Sequence, residues 1–121
     1  MRKLLFGMLI APMAFGTNIA LADDYAYVNN AGFVSHASGI SQANVVTAGT
    51  SSYCFKGLRL RPNNIEVTLG ALDNAGVNAT IAYAALGTGG AFSGCPTGTQ
   101  AYVVTLTPNS AAKNGFFVLI H

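Results

Sequence analysis

Ile65-Glu66-Val67-Thr68-Leu69-Gly70 is the stretch that decides the fold class. In an extended chain successive side chains point to opposite faces. Ile65, Val67 and Leu69 therefore share one face, and Glu66 and Thr68 the other. Apolar on one side and polar on the other, the run reads as a half-buried β-strand. Just upstream, Pro62-Asn63-Asn64 breaks the chain, and Leu58-Arg59-Leu60-Arg61 alternates again. That pattern predicts a strand with its leucines on one side and its arginines on the other.

Downstream, Asp73-Asn74-Ala75-Gly76 is a turn, and Ala79 to Leu86 follows with Ile81 and Tyr83 on one face. Ala82, Ala84 and Ala85 favour helix, but Val77, Thr80, Ile81 and the glycine-rich exit favour a strand. Gly87 to Gly94 reads as a flexible connection closed by Cys95-Pro96. Gln100 to Thr107 is a strand with Tyr102, Val104 and Leu106 on one face, and Pro108 to Gly115 is a turn or loop. Phe116 to Ile120 is apolar on both faces, as a central strand is. Towards the N-terminus, Asn44–Thr47 and Ser52–Phe55 flank a turn near Ala48-Gly49. Tyr25–Val28 and Phe33–Ala37 flank Asn29-Asn30-Ala31-Gly32. About eight short strands with frequent turns predict an all-β domain, a small β-sandwich or barrel.

Residues 1–22 are expected to be a signal peptide rather than part of this domain. Arg2 and Lys3 are followed by the apolar stretch Leu4 to Phe15, which Pro12 interrupts. The stretch is shorter than the roughly 20 apolar residues of a membrane span. Ala20-Leu21-Ala22 supplies the small-x-small pattern of a cleavage site, and Asp23 would begin the mature chain. Residues 23–121 then form a single β-rich domain, secreted or periplasmic, with no membrane span of its own.

Charged residues make up 8% of the chain and hydrophobic residues 51%, a balance too apolar for a disordered protein. The net charge of +2 comes from Arg2 and Lys3. Without them Lys56, Arg59, Arg61 and Lys113 balance Asp23, Asp24, Glu66 and Asp73. A near-neutral domain offers no electrostatic ground for nucleic acid or an anionic membrane as partner. Two cysteines, Cys54 and Cys95, are expected to form a disulfide in an oxidising compartment. It would close a loop of about 40 residues.

Ser52-Tyr53-Cys54-Phe55, Asn64-Ile65-Glu66-Val67-Thr68, Cys95-Pro96-Thr97-Gly98-Thr99-Gln100-Ala101 and Gly115-Phe116-Phe117-Val118-Leu119 span most of the domain. In these segments the chain resembles small exported bacterial β-rich proteins of unassigned activity. The resemblance implies a disulfide-linked β-domain outside the cytoplasm. It implies no reaction and carries no site residues.

No catalytic, cofactor or metal constellation is expected. The histidines, His36 and His121, lack the three or four His, Cys, Asp or Glu ligands a metal needs. There is no Gly-x-Ser-x-Gly nucleophile turn, and Gly87-Thr88-Gly89-Gly90 lacks the lysine of a phosphate-binding loop. The candidate contact residues are Lys56, Arg59 and Arg61, which gather most of the mature positive charge. Tyr25 and Tyr27, on one face of the first strand, join them. Their other role would be a solvated edge strand for the cations and half-buried packing for the tyrosines. The expected function is a non-enzymatic binding or interaction module for a protein or glycan partner, in which homo-oligomers are allowed. The alternatives are a self-assembling structural or adhesive envelope protein, and a small hydrolase or hydrolase inhibitor.

Overall fold

The alternating run at 65–69 finds its partner at the end of the chain. A computed structural model describes residues 23–70, 81–108 and 110–121, with backbone only at residues 91 and 92. The expected leader and the Asp73–Gly76 turn lie outside the described residues. Among those residues nine strands form: β1 (Asp24–Val28), β2 (Val34–Ser38), β3 (Val45–Ala48), β4 (Ser52–Lys56), β5 (Ile65–Leu69), β6 (Ile81–Leu86), β7 (Thr99–Thr107), β8 (Ser110–Ala111) and β9 (Phe116–Ile120). Helical structure is limited, among the described residues, to a 3-10 turn at Gln42–Asn44 and a single turn at Gly90–Ser93.

The strands make two antiparallel sheets. One has the order β2-β1-β9-β5; the other runs β3-β4-β7-β6, with the short β8 added to β7. β9 is a central strand, paired with β1 through Tyr25–Leu119 and Tyr27–Phe117 and with β5 through Glu66–Leu119 and Thr68–Phe117. β7 is the long central strand of the second sheet, between β4 and β6. β5 and β6 lie against each other at one side, where the chain passes between sheets.

Both sheets turn one face inward. Ala26 and Val28 from β1 and Phe116, Val118 and Ile120 from β9 meet Tyr53 and Phe55 from β4 and Ala101 and Val103 from β7. Phe116 packs edge-on against Tyr53 at 4.8 Å and Phe55 at 6.5 Å between ring centroids. Each such side chain, taken fully out of water, contributes about 1.5–3 kcal/mol. The Tyr53 hydroxyl, deep in this layer, donates to the Asn30 carbonyl oxygen at 3.0 Å, so its polar end is satisfied.

The strand expected at Leu58–Arg61 does not form. The ladder between β4 and β7 is already irregular between Phe55 and Lys56, and the chain then leaves the sheet. The Leu58 amide donates to the Gln100 side-chain oxygen at 2.8 Å, not to a neighbouring strand. Asn44 holds the exit by donating through Nδ2 to the Lys56 and Gly57 carbonyl oxygens, both at 3.0 Å. Leu58 is buried while Arg59 and Arg61 are exposed, so the alternation survives in burial without strand pairing. β2 also departs from a regular strand: its ladder with β1 covers only Tyr27–Ser35 and Val28–Val34, and the exposed His36 adopts a left-handed φ of 46°.

Gly87 to Gly94, expected to be a flexible connection, is tied down at several points. The Gly87 amide donates to the Gln100 carbonyl, and the Cys95 amide to Ser93 Oγ. Ser93 Oγ in turn donates to the Thr88 carbonyl. The Cys54–Cys95 disulfide is present, with a Cα–Cα distance of 5.7 Å, and anchors this segment to the middle of β4. The segment lies against the outer face of the five-stranded sheet at Cys54 and Tyr102; these and Val104 point away from the core yet are buried. Gly89 sits directly over the Tyr102 ring, where a Cβ would approach to 2.8 Å, and its φ of 67° is left-handed. Both conditions call for glycine.

Candidate functional site

Two groups of residues were candidates for contact, and the fold separates them. Lys56 ends β4, half-buried beside Thr99. Arg59 and Arg61 lie on the loop between β4 and β5. Arg59 reaches back to β1: its Nη2 lies 3.1 Å from Asp24 Oδ1. The guanidinium side of this pair is open to water and the carboxylate side is closed, with exposures of 71% and 1%. Asp24 faces inward from β1, and Gly39 closes over it. A Cβ at Gly39 would fall on the Asp24 carboxylate, and its φ of 76° is again left-handed. Asp24 Oδ2 is buried without a hydrogen-bond partner among the described residues. An unsatisfied buried acceptor costs about 1–3 kcal/mol, so Arg59 is the main compensation this carboxylate has. The pair clips the β4–β5 loop to the start of β1. Arg61 stays exposed.

Tyr25 and Tyr27 do share a face, and it is the outer face of the four-stranded sheet. Two rows cross that face. One runs Tyr25–Leu119–Glu66 and the other Tyr27–Phe117–Thr68, each member directly opposite its neighbour. In the second row Tyr27 and Phe117 stack at 4.8 Å with their planes tilted by 54°. Gly70 fits close against the Tyr27 ring, where a Cβ would collide. Tyr27 is buried at 3% exposure by these neighbours. Tyr25 at 49% and Phe117 at 43% stay open to water.

Between the rows lies a shallow depression of about 230 Å³ lined by Tyr25, Glu66, Thr68, Phe117 and Leu119. Its floor is apolar, and its β5 flank carries a carboxylate and a hydroxyl. At one end His121 stands between two carboxylates, with Nδ1 2.9 Å from Asp23 Oδ1 and Nε2 3.8 Å from Glu66 Oε1. The β9–β1 and β9–β5 pairings put these groups together, because His121 follows β9, Asp23 precedes β1 and Glu66 lies on β5.

The sequence singles out Tyr25 and Tyr27 but not Phe117, Leu119, Glu66, Thr68 or His121 as members of this surface. The available signal is the run Phe116-Phe117-Val118-Leu119, apolar on both faces. β9 is central in its sheet, yet among the described residues only one of its faces is covered by the other sheet.

A second aromatic pair, Tyr83 and Tyr102, lies on the other outer face at 6.5 Å, edge to face. Burial, and then the neighbouring Tyr102, push the Tyr83 hydroxyl above the ordinary tyrosine value of 10.0. Among the described residues no group of three or more His, Cys, Asp or Glu side chains is placed to hold a metal ion. No helix among them is long and apolar enough to cross a membrane. Neither protein-family models, nor curated proteins, nor solved structures gave a match to the chain.

Proposed function

We propose that this chain is an exported, non-enzymatic binding module whose contact surface is the outer face of the four-stranded sheet. One observation carries the reading: Tyr25 and Phe117 lie open to water on adjacent central strands, around a depression with a polar flank. Large apolar side chains gathered on a sheet face, rather than scattered singly, mark interaction surfaces. Export rests on the leader pattern of residues 1–22 and agrees with a disulfide that persists in oxidising compartments.

The test is isotope-labelled protein, produced with its own leader and recovered after export. Its amide spectrum is recorded against a panel of oligosaccharides, peptides and lipid vesicles. Binding should move the resonances of β1, β5 and β9 and leave those of the Gly87–Gly94 segment in place. Shifts confined to Arg59 and Arg61 would put the contact on the β4–β5 loop and sink this reading. The mass of the recovered chain should correspond to cleavage after Ala22.

The same exposed aromatic pair favours one other reading, in which a second copy of the chain covers the face. A discrete oligomer in sedimentation velocity that disperses in Phe117→Ser would put self-assembly ahead.

A further inference from the structure

We infer that the ligand of this face is a neutral glycan, with a single sugar ring lying flat across Tyr25, Phe117 and Leu119. The inference rests on the binding reading above and names its ligand class.

Shape is the first argument. The depression holds about 230 Å³ and lies on the top of a sheet. Enclosed small-molecule pockets are larger, roughly 300–1,000 Å³, and bury most of their ligand. A shallow site of this size takes one flat ring and lets a chain continue past it in either direction.

Polarity in the depression is distributed as on a sugar. A pyranose presents apolar C–H groups on its faces and hydroxyls around its edge. The floor here is aromatic and aliphatic, which matches the face. The hydrogen-bonding groups stand at the sides, which matches the edge. Glu66 and Thr68 line the depression from β5 on one side, and Tyr25, which carries a hydroxyl, from β1 on the other. An ionised carboxylate accepts hydroxyl donors on both oxygens, and threonine and tyrosine hydroxyls donate or accept.

Charge argues against ionic ligands. Among the described residues no lysine or arginine lines the depression, which gives an anion little to pair with there. A cation would find Glu66 and two aromatic rings, the usual elements of a cation–π site. However, Glu66 is already faced by His121, which Asp23 holds from the other side at 2.9 Å. Tyr25 and Phe117 also stand in different cross-strand rows of one sheet, side by side rather than as facing walls of a cage. An anionic lipid surface would meet the Asp23 and Glu66 carboxylates at the edge of the same face.

The experiment titrates the labelled exported protein with chitotetraose, cellotetraose and maltotetraose, and in parallel with tetramethylammonium and an oligolysine peptide. At least one tetrasaccharide should give saturable shifts at Tyr25, Thr68, Phe117 and Leu119, and the cations none. Glu66→Gln keeps the shape of the side chain and should weaken sugar binding about tenfold through the lost charge-assisted hydrogen bond. Phe117→Ser should weaken it by at least about tenfold, as loss of a central aromatic contact does. Arg61→Ala should leave binding unchanged. If the cations shift the face and no sugar does, the ligand class is overturned and the binding reading stands. If no probe moves the face, both are overturned.

Discussion

The two sheets treat their outer faces differently. Both outer faces carry tyrosines beside other apolar side chains: Tyr83, Tyr102 and Val104 on the five-stranded sheet, Tyr25, Tyr27, Phe117 and Leu119 on the four-stranded one. Over the first, the chain lays a disulfide-anchored segment whose Gly89 packs on Tyr102, and Tyr102 and Val104 are buried. Over the second, Gly70 packs on Tyr27, but among the described residues no such segment covers Tyr25 and Phe117, which stay in water. A protein with one covalent tether has spent it on one face. The contrast teaches that the exposed face is not a general failure of this small domain to cover apolar surface.

The strongest way to break the contrast is to cut the tether. Cys54→Ser with Cys95→Ser should cost about 4 kcal/mol by the chain-entropy relation for a loop of this length. The measurement is the denaturation midpoint, compared with that of the native protein. The double variant should also bind a hydrophobic dye at Tyr102, so that both outer faces become alike. An unchanged midpoint would mean the covering segment holds without its bond.

A gentler lever acts on the same segment. Gly89→Ala should cost about 1–2 kcal/mol for the left-handed backbone alone, and more because its Cβ meets the Tyr102 ring. Hydrogen exchange should quicken at Cys95 and Gly87 and not in β1 or β9. Uniform quickening would show that the covered face is not an independent unit.

Substitutions on the bare face should behave in the opposite way. Phe117→Ser loses its contact with Tyr27, but the ring is already 43% exposed, and the change should cost about 1 kcal/mol. Its larger effect should appear in binding. A stability loss of about 3 kcal/mol, typical of a core phenylalanine, would show that this face is structural.

The smallest expected effect is on pH dependence. The Tyr83 hydroxyl is raised above 10.0 in the folded state, first by burial. The unfolded chain therefore ionises first as pH climbs. Stability should be full below about pH 10 and decline above it, as linkage requires. Tyr83→Phe should flatten that part of the profile. A profile that Tyr83→Phe leaves unchanged would locate the alkaline transition elsewhere.

Local pattern revealed the strands and little of what they face. Alternation at Ile65–Leu69 placed β5 and its inward side correctly, because a strand with one buried face writes its register in the sequence. Tyr102 and Val104 share a face as their spacing requires. That face is the outer one, and spacing alone does not distinguish an inner face from an outer face that a loop covers. The same limit applies to Phe116–Ile120, where both faces are apolar for two reasons, one facing the core and the other lining the depression. Leu58–Arg61 alternates without pairing, because a side-chain oxygen of Gln100 takes the amide a strand would have taken. The Arg59–Asp24 pair joins positions far apart in the chain, and nothing near either residue announces it.

The central place of β9 bears on the order of assembly. Its partners, β1 and β5, stand earlier in the chain, and β1 is the first described strand while β9 is the last. The four-stranded sheet therefore cannot close until β9 has been made. Until then Ala26 and Val28 have no β9 to lie against, and the depression does not exist. Pairings between distant segments form slowly, since the intervening loop must be closed before any contact rewards it. The depression therefore depends on β9, and a chain lacking residues of β9 would lose the sheet and the surface together.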